Sequence, residues 1–191
     1  MDISGNSLEG YSKNDYGTLF YSLIKIYKPL EIVEIGVGDS YTLDAIVRAV
    51  KENNVGRVRV YDIFEEWKYF HKANFTSTKK TFSCDAVTIN KGDFYNVFSE
   101  LDDNSIDFFD IDIANDGKKF QFFFDNYFKK LSPTGIAILE GGSLERDSIE
   151  WMIKYKKQLI RPILKKYKNK ADIFVLEPHP SATLIKKRSS L

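Results

Sequence analysis

The sequence predicts an α/β protein: a seven-stranded, mostly parallel sheet covered by helices on both faces and closed by a C-terminal antiparallel hairpin. Three observations carry this. Short apolar runs alternate with helix-period segments as far as Leu139, the pattern of a parallel sheet with crossover helices. A glycine turn at 36–38 joins the first strand directly to the start of its helix. Two last strand-like runs, ADIFVLE (171–177) and ATLIKK (182–187), are separated only by PHPS. That link is too short for a crossover helix, so the two strands must run antiparallel.

The elements follow in order. Residues 1–14 are polar and Gly/Ser-rich and are expected to form a flexible arm, free or folded over a substrate. Tyr16 to Tyr27 places Leu19, Phe20, Leu23, Ile24 and Tyr27 on one helical face. Pro29 stops that helix, and Glu31 to Ile35 is a buried strand. Asp39 or Ser40 caps a helix running to about Asn53, with Leu43, Ile46, Val47 and Val50 as its stripe. Gly56 precedes a second strand, Arg57 to Ile63, and the polar-aromatic segment Phe64 to Lys80 reads as a helix. A third strand spans Asp85 to Asn90, followed by a short helix from Gly92-Asp93 to about Leu101. Ser105 to Ile111 is a fourth strand and Asp116 to Leu131 a helix with an aromatic face. Ser132 to Gly135 reads as a turn, Ile136 to Leu139 as a fifth strand, and Leu144 to Lys168 as a long basic helical region with a break at Pro162. No repeat and no second core is evident, so residues 1–191 are expected to form one domain.

Composition narrows the function. The 191 residues carry a net charge of +1, so no global field draws the chain to nucleic acid or to an anionic membrane. No apolar run approaches the roughly 20 residues that span a bilayer. The first 15 residues lack a basic region followed by an apolar core, and the lone Cys84 cannot form an internal disulfide. A cytoplasmic location is expected.

The loop at Gly36-Val37-Gly38 offers backbone N–H groups to an anion at a helix start. A dinucleotide fingerprint needs a third glycine, but Tyr41 stands there, and Asp39 puts a negative charge where a pyrophosphate would lie. Both disfavour an NAD-dependent oxidoreductase. Asp39 and Glu34 suit instead a ligand with a carboxylate tail and positive ammonium and sulfonium groups. VEIGVG (33–38) therefore resembles the first motif of the class I S-adenosylmethionine-dependent methyltransferases: an acid, an apolar residue and a G-x-G loop. Asp62, at the end of the second strand and about 24 residues past Gly38, is placed to accept ribose hydroxyls. Over about residues 15 to 188 the resemblance implies a Rossmann-like three-layer sandwich with an inserted antiparallel seventh strand. It also implies S-adenosylmethionine as cofactor, held by Glu34, Gly36, Gly38, Ser40, Asp62, Asp93 and Phe94, the last two on adenine.

Within that family the chain is similar to small-molecule and sugar O-methyltransferases, which often carry D-G-[DA]-H past the fourth strand. The matching run is Asp112-Ile113-Ala114-Asn115, with asparagine at the histidine position. Asparagine cannot act as a general base, which leaves both the base and any metal open. Asp112, Asn115 and Glu140 are the residues expected to face a small-molecule acceptor. A catalytically silent nucleoside- or partner-binding protein is the alternative. Asp110 reads as structural, His71 as a surface or half-buried structural residue on its helix with a lean toward the substrate side as the alternative, His179 as exposed in the hairpin tip and Cys84 as a small buried hydrophobe. The basic, acid-free stretch from Met152 to Lys170 suits a phosphate-bearing or nucleic-acid substrate, but a solvated helix face with inward tyrosines is the simpler reading. The aromatic run 120–124 is core, with one edge open to a contact between copies.

Overall fold

A computed structural model describes residues 10–64, 73–177 and 179–188. One seven-stranded sheet runs in the order β3-β2-β1-β4-β5-β7-β6. Its strands are β1 (Glu31–Ile35), β2 (Arg57–Asp62), β3 (Val87–Lys91), β4 (Ile106–Ile111), β5 (Leu131–Glu140), β6 (Ala171–Leu176) and β7 (Ala182–Lys187). The first five pair in parallel, and β7 inserts antiparallel between β5 and β6. The chain crosses from β1 outward to β2 and β3, then returns to the other side of β1 as β4. The strand order thus reverses between β1 and β4, and ligands of open α/β sheets bind outside the strand ends at such a point.

Alternation along the strands builds two apolar layers. Val33, Ile35, Phe109, Ile111, Ala137 and Leu139 face one cluster, with α4 (Phe94–Val97), α5 (Gly117–Phe122) and α8 (Ile160–Tyr167) over it. Ile32, Phe108, Ile136 and Ile138 face the other, covered by α1 (Tyr16–Tyr27) and α2 (Tyr41–Asn53). Burying Phe20, Ile24, Leu43 and Ile46 completely contributes roughly 1.5–3 kcal/mol each. The fold is the predicted α/β sandwich with its antiparallel hairpin.

Several elements differ from their sequence reading. Of the expected helix 64–80, the described part is α3 (Phe75–Thr81), and residues 65–72, including His71, lie outside the described residues. Of the expected N-terminal arm, residues 1–9 also lie outside them, while Gly10–Asn14 forms a 3-10 turn whose Tyr11 is buried. The helix after Asp116 changes pitch, from α5 to a π-turn at Phe123–Tyr127 and a 3-10 turn at Phe128–Lys130. Phe120, Phe123, Phe124 and Tyr127 are all buried while Phe122 packs in from the flank, and the widened turn accommodates that broad apolar face. Ser132 to Gly135 is not a turn ahead of the fifth strand but an irregularity inside it, where pairing jumps from Ile106–Leu131 to Phe108–Ile136.

The long basic region is three short helices, α6 (Leu144–Asp147), α7 (Glu150–Lys154) and α8. The break falls before Pro162, which sits in the first turn of α8, where its missing N–H costs nothing. Among the described residues no helix is long and apolar enough to cross a membrane.

Candidate active site

A cleft of about 580 Å³ opens over the carboxyl ends of β1, β2, β3 and β4, within the roughly 300–1,000 Å³ of ordinary ligand sites. Its floor is the glycine loop. Gly36 has φ +94°, and a Cβ there would stand 2.1 Å from the Asp112 carbonyl oxygen and 2.7 Å from Ile113 Cγ2. Only glycine lets the exits of β1 and β4 touch. Gly38 has φ +52° and open space where its Cβ would be. In the loop, Gly36 N–H donates to Tyr61 O (2.9 Å) and Ser40 N–H to Val37 O (2.7 Å). The Gly38 and Asp39 N–H groups have no acceptor among the described residues. Asp39 Oδ1 takes the Tyr41 N–H at 3.3 Å. Ser40 occupies the left-handed position ahead of α2 without a side-chain cap and is not part of the cleft wall.

Asp62 clamps this floor. One oxygen accepts Val37 N–H at 2.6 Å and the other accepts Phe64 N–H. Each carboxylate oxygen has a second lone pair, so two hydroxyl donors can still be received from the cleft. At the end of β3, Asp93 caps α4 through Tyr95 N–H at 2.8 Å and lines the cleft beside Phe94. Phe94 is held by stacking on Tyr127, with ring centroids 5.1 Å apart. Tyr41, at the position of a third glycine, hydrogen-bonds Asp15 (2.8 Å) and Gly17 N–H (3.2 Å), tying α2 to α1.

Beneath the floor lies a group of buried acids. Glu34 and Asp110 are direct partners across β1 and β4, both fully buried on the α1/α2 face. The Thr42 hydroxyl donates to Glu34 Oε1 at 3.0 Å, and Oε2 has no partner among the described residues. Burial, helped by the charges of Asp112 and Asp62, pushes Glu34 up to about 8. Burial and the Glu34 charge hold Asp110 far above the ordinary carboxylate range. Asp112 is likewise pushed up to about 8, by burial first and then by Glu140 and Asp39, against the pull of Arg146. The buried Tyr11 hydroxyl faces the same acids, and its phenol is raised by burial and by Asp112, Asp110 and Glu140. Glu34 and Asp110 therefore support the cleft from below, while Asp112 and Tyr11 line it.

The expected acceptor-side residues separate. Asp112 is on the wall with Ile113 and Ala114. Asn115 is fully buried behind it, its amide donating to Ile111 O (2.9 Å) and Glu140 O (3.1 Å). Glu140 forms a buried two-point pair with Arg146 (Nε–Oε1 2.9 Å, Nη2–Oε2 3.3 Å). Arg146 Nη2 also reaches Asn115 O at 2.7 Å. Asn115 and Glu140 thus latch the end of β4 to the end of β5 and do not reach the cleft wall. His179 and Cys84 are away from the cleft as well.

Lys119, Trp151 and Lys157 complete the wall, together with Tyr11. The sequence signal for these was thin: an aromatic residue inside a polar arm, and lysines among many lysines. Among the described residues no group of three or more His, Cys, Asp or Glu side chains is arranged to hold a metal ion.

Comparison with known proteins agrees with this geometry. Residues 33–140 match a family described as a methyltransferase domain. The SAH-bound methyltransferase PaMTH1 of Podospora anserina superposes with a TM-score of 0.66 at 18% identity, covering 91% of this chain and 78% of that one. A methyltransferase from Geobacter sulfurreducens gives 0.62 at 16% identity, with 92% and 79% covered. A candidate O-methyltransferase from Klebsiella pneumoniae gives 0.69 at 13% identity, with 99% and 84% covered. At these identities the likeness is one of fold. No curated protein matches the sequence.

Proposed function

This chain belongs to the methyltransferase domain family, and on that premise we propose that it moves a methyl group from S-adenosylmethionine to an oxygen of a small molecule or sugar. The observation that carries the reading is the pairing of two loop N–H groups without an acceptor among the described residues, at Gly38 and Asp39, with the half-satisfied Asp62 carboxylate on the next strand end. This suits a ligand with a carboxylate at one end and a ribose diol at the other. The residues present fit that cofactor. Gly38 and Asp39 N–H would hold its carboxylate, Asp62 its ribose hydroxyls, and Asp93 and Phe94 its adenine. When bound it supplies an activated methyl on a sulfonium, which the surrounding acids tolerate.

The chain's own contribution is position and proton management. Holding an acceptor hydroxyl in line with the methyl accounts for most of the acceleration in such transfers. Asp112 stands on the acceptor side of the cleft, and a carboxyl pushed up to about 8 matches the neutral range in which a general base works best. The paired β4 and β5 ends, locked by Asn115, Glu140 and Arg146, keep Asp112 in place. A second reading, a protein that binds a nucleoside or partner without turnover, draws on Asn115, whose amide nitrogen is consumed in that lock.

Calorimetric titration of protein verified to be ligand-free tests the reading. S-adenosylmethionine is expected to bind at about micromolar strength, on the order of 8 kcal/mol, and NADH not at all. Binding of NADH alone would replace the proposal with an oxidoreductase. Binding without turnover across an acceptor panel would favour the silent alternative.

A further inference from the structure

We propose that the acceptor carries a carboxylate or phosphate group, received between Lys119 and Lys157 beside Trp151; this rests on the methyltransferase reading above. The cleft is polarised along the sheet. Asp62 and Asp93 lie at the ends of β2 and β3, on one side of β1. Lys119 follows β4 and Lys157 follows β5, strands on the other side of β1, and both line the cleft. The two ammonium groups share one buried carboxylate oxygen, Asp116 Oδ2, at 3.4 and 3.7 Å. The second oxygen of Asp116 is already committed to the start of α5, accepting Lys118 N–H (3.0 Å) and Lys119 N–H (3.1 Å). Arg146 stands nearby, engaged by Glu140 and by Asn115 O, while its buried Nη1 has no hydrogen-bond partner among the described residues. Two ammonium groups thus share a single carboxylate at the cleft wall, an excess of one positive charge over Asp116.

Such an excess is ordinarily dissolved by swinging a lysine into water. Here that is resisted. Lys119 is 18% exposed and Lys157 31% at the side chain, whereas their neighbours Lys154 and Lys156 are exposed. Lys157 Nζ lies 4.8 Å from the Trp151 ring centroid, and Arg146 Cζ lies 5.1 Å from it. The backbone fixes the arrangement too. Gly117 N–H donates to Gln158 O at 2.6 Å, and a Cβ on Gly117 would come within 2.3 Å of Leu159 O. Only a glycine at that point lets the 157–159 segment settle on the start of α5 and bring Lys157 to Asp116. Lys157 N–H is tied back to Met152 O at 2.9 Å. Burial lowers the Lys119 pKa, Asp116 raises it, and Lys157 and Arg146 lower it by lesser amounts. An oxyanion between the two ammonium groups adds a second counter-charge to that of Asp116, and the flat Trp151 side chain offers a wall for the group that bears it.

The test is calorimetry on the full chain saturated with S-adenosylhomocysteine, titrated with benzoate, phenyl phosphate and the neutral benzyl alcohol. At least one anion is expected to bind about tenfold or more tightly than benzyl alcohol, and the better of the two names the group. Lys119→Gln and Lys157→Gln are expected to abolish that preference while S-adenosylhomocysteine affinity stays within about twofold, and Lys157→Arg to restore much of it. Equal binding of the neutral probe, or an anion preference that survives both glutamine variants, would overturn the proposal. If the glutamine variants instead lose the nucleoside and keep the preference, the lysines serve the cofactor tail and the proposal falls. Failure of S-adenosylhomocysteine to bind the parent protein would remove the underlying methyltransferase reading, and the acceptor assignment with it.

Discussion

At Asp62 both carboxylate oxygens already accept a backbone N–H, from Val37 and from Phe64, before any ligand arrives. Its removal therefore has two separable effects. Asp62→Ala is expected to cost about 1–3 kcal/mol of stability in urea titration, because two N–H groups lose their acceptor. It is also expected to weaken nucleoside binding by tenfold or more; full retention of affinity would sink the ribose assignment. Gly36→Ala tests the other half of the floor. At φ +94° and with Asp112 O in the way, alanine is expected to cost about 1–3 kcal/mol in strain alone and to splay β1 from β4.

Glu34 makes a pH prediction. Its folded-state value is about 8 against an ordinary 4.5, so the folded chain holds a proton that the unfolded chain releases. The stabilisation is complete below the unfolded value and is lost as pH rises from about 4.5 to about 8, by at most ~1.4 kcal/mol per pH unit. Glu34→Gln removes that slope. The variant is expected to gain on the parent in melting temperature toward pH 8 and to match it near pH 4.

Among the elements, α8 shows most clearly how distant groups decide local structure. Its first N–H groups, on Ile160 and Arg161, are capped by Asp147 at 2.7 and 3.0 Å, from the end of α6. No pattern inside 155–165 announces this, which is why the expected break sits at Pro162, inside the first turn of α8, rather than ahead of Ile160. Asp147→Ala is expected to cost about 0.5–2 kcal/mol and to raise amide exchange in α8 ahead of the sheet. By contrast α4 was legible, because its cap Asp93 is the residue immediately before it. The helix after Asp116 lies between these cases. Its aromatic face was visible in sequence, but its π-turn follows from packing Phe122 as well as the main face.

For the whole molecule, a ligand that binds the folded chain and not the unfolded one stabilises the fold by mass action. At a concentration of 100 Kd, S-adenosylmethionine is expected to add about 2.7 kcal/mol, a rise of roughly 5–10 °C in thermal midpoint. An unchanged midpoint at that concentration would contradict the cofactor assignment.

The sequence by itself determined the strand order's raw material: apolar runs of strand length, a glycine turn that only an exit from β1 requires, an acid at the end of β2, and a closing link too short to be anything but antiparallel. These are local signals, set by chain geometry and side-chain period, and they survive without knowing the neighbours. Only the tertiary structure decided which polar residues reach the cleft. Glu34, Asn115 and Glu140 carry suitable chemistry, yet strand alternation and the Arg146 lock turn them inward. Lys119, Lys157 and Tyr11 look ordinary in sequence, and Lys157 reaches the wall through Asp116 and Gly117, far earlier in the chain. A side chain's type is written in the sequence, but its direction and its partners are fixed by the packing of segments that meet only once the sheet has formed.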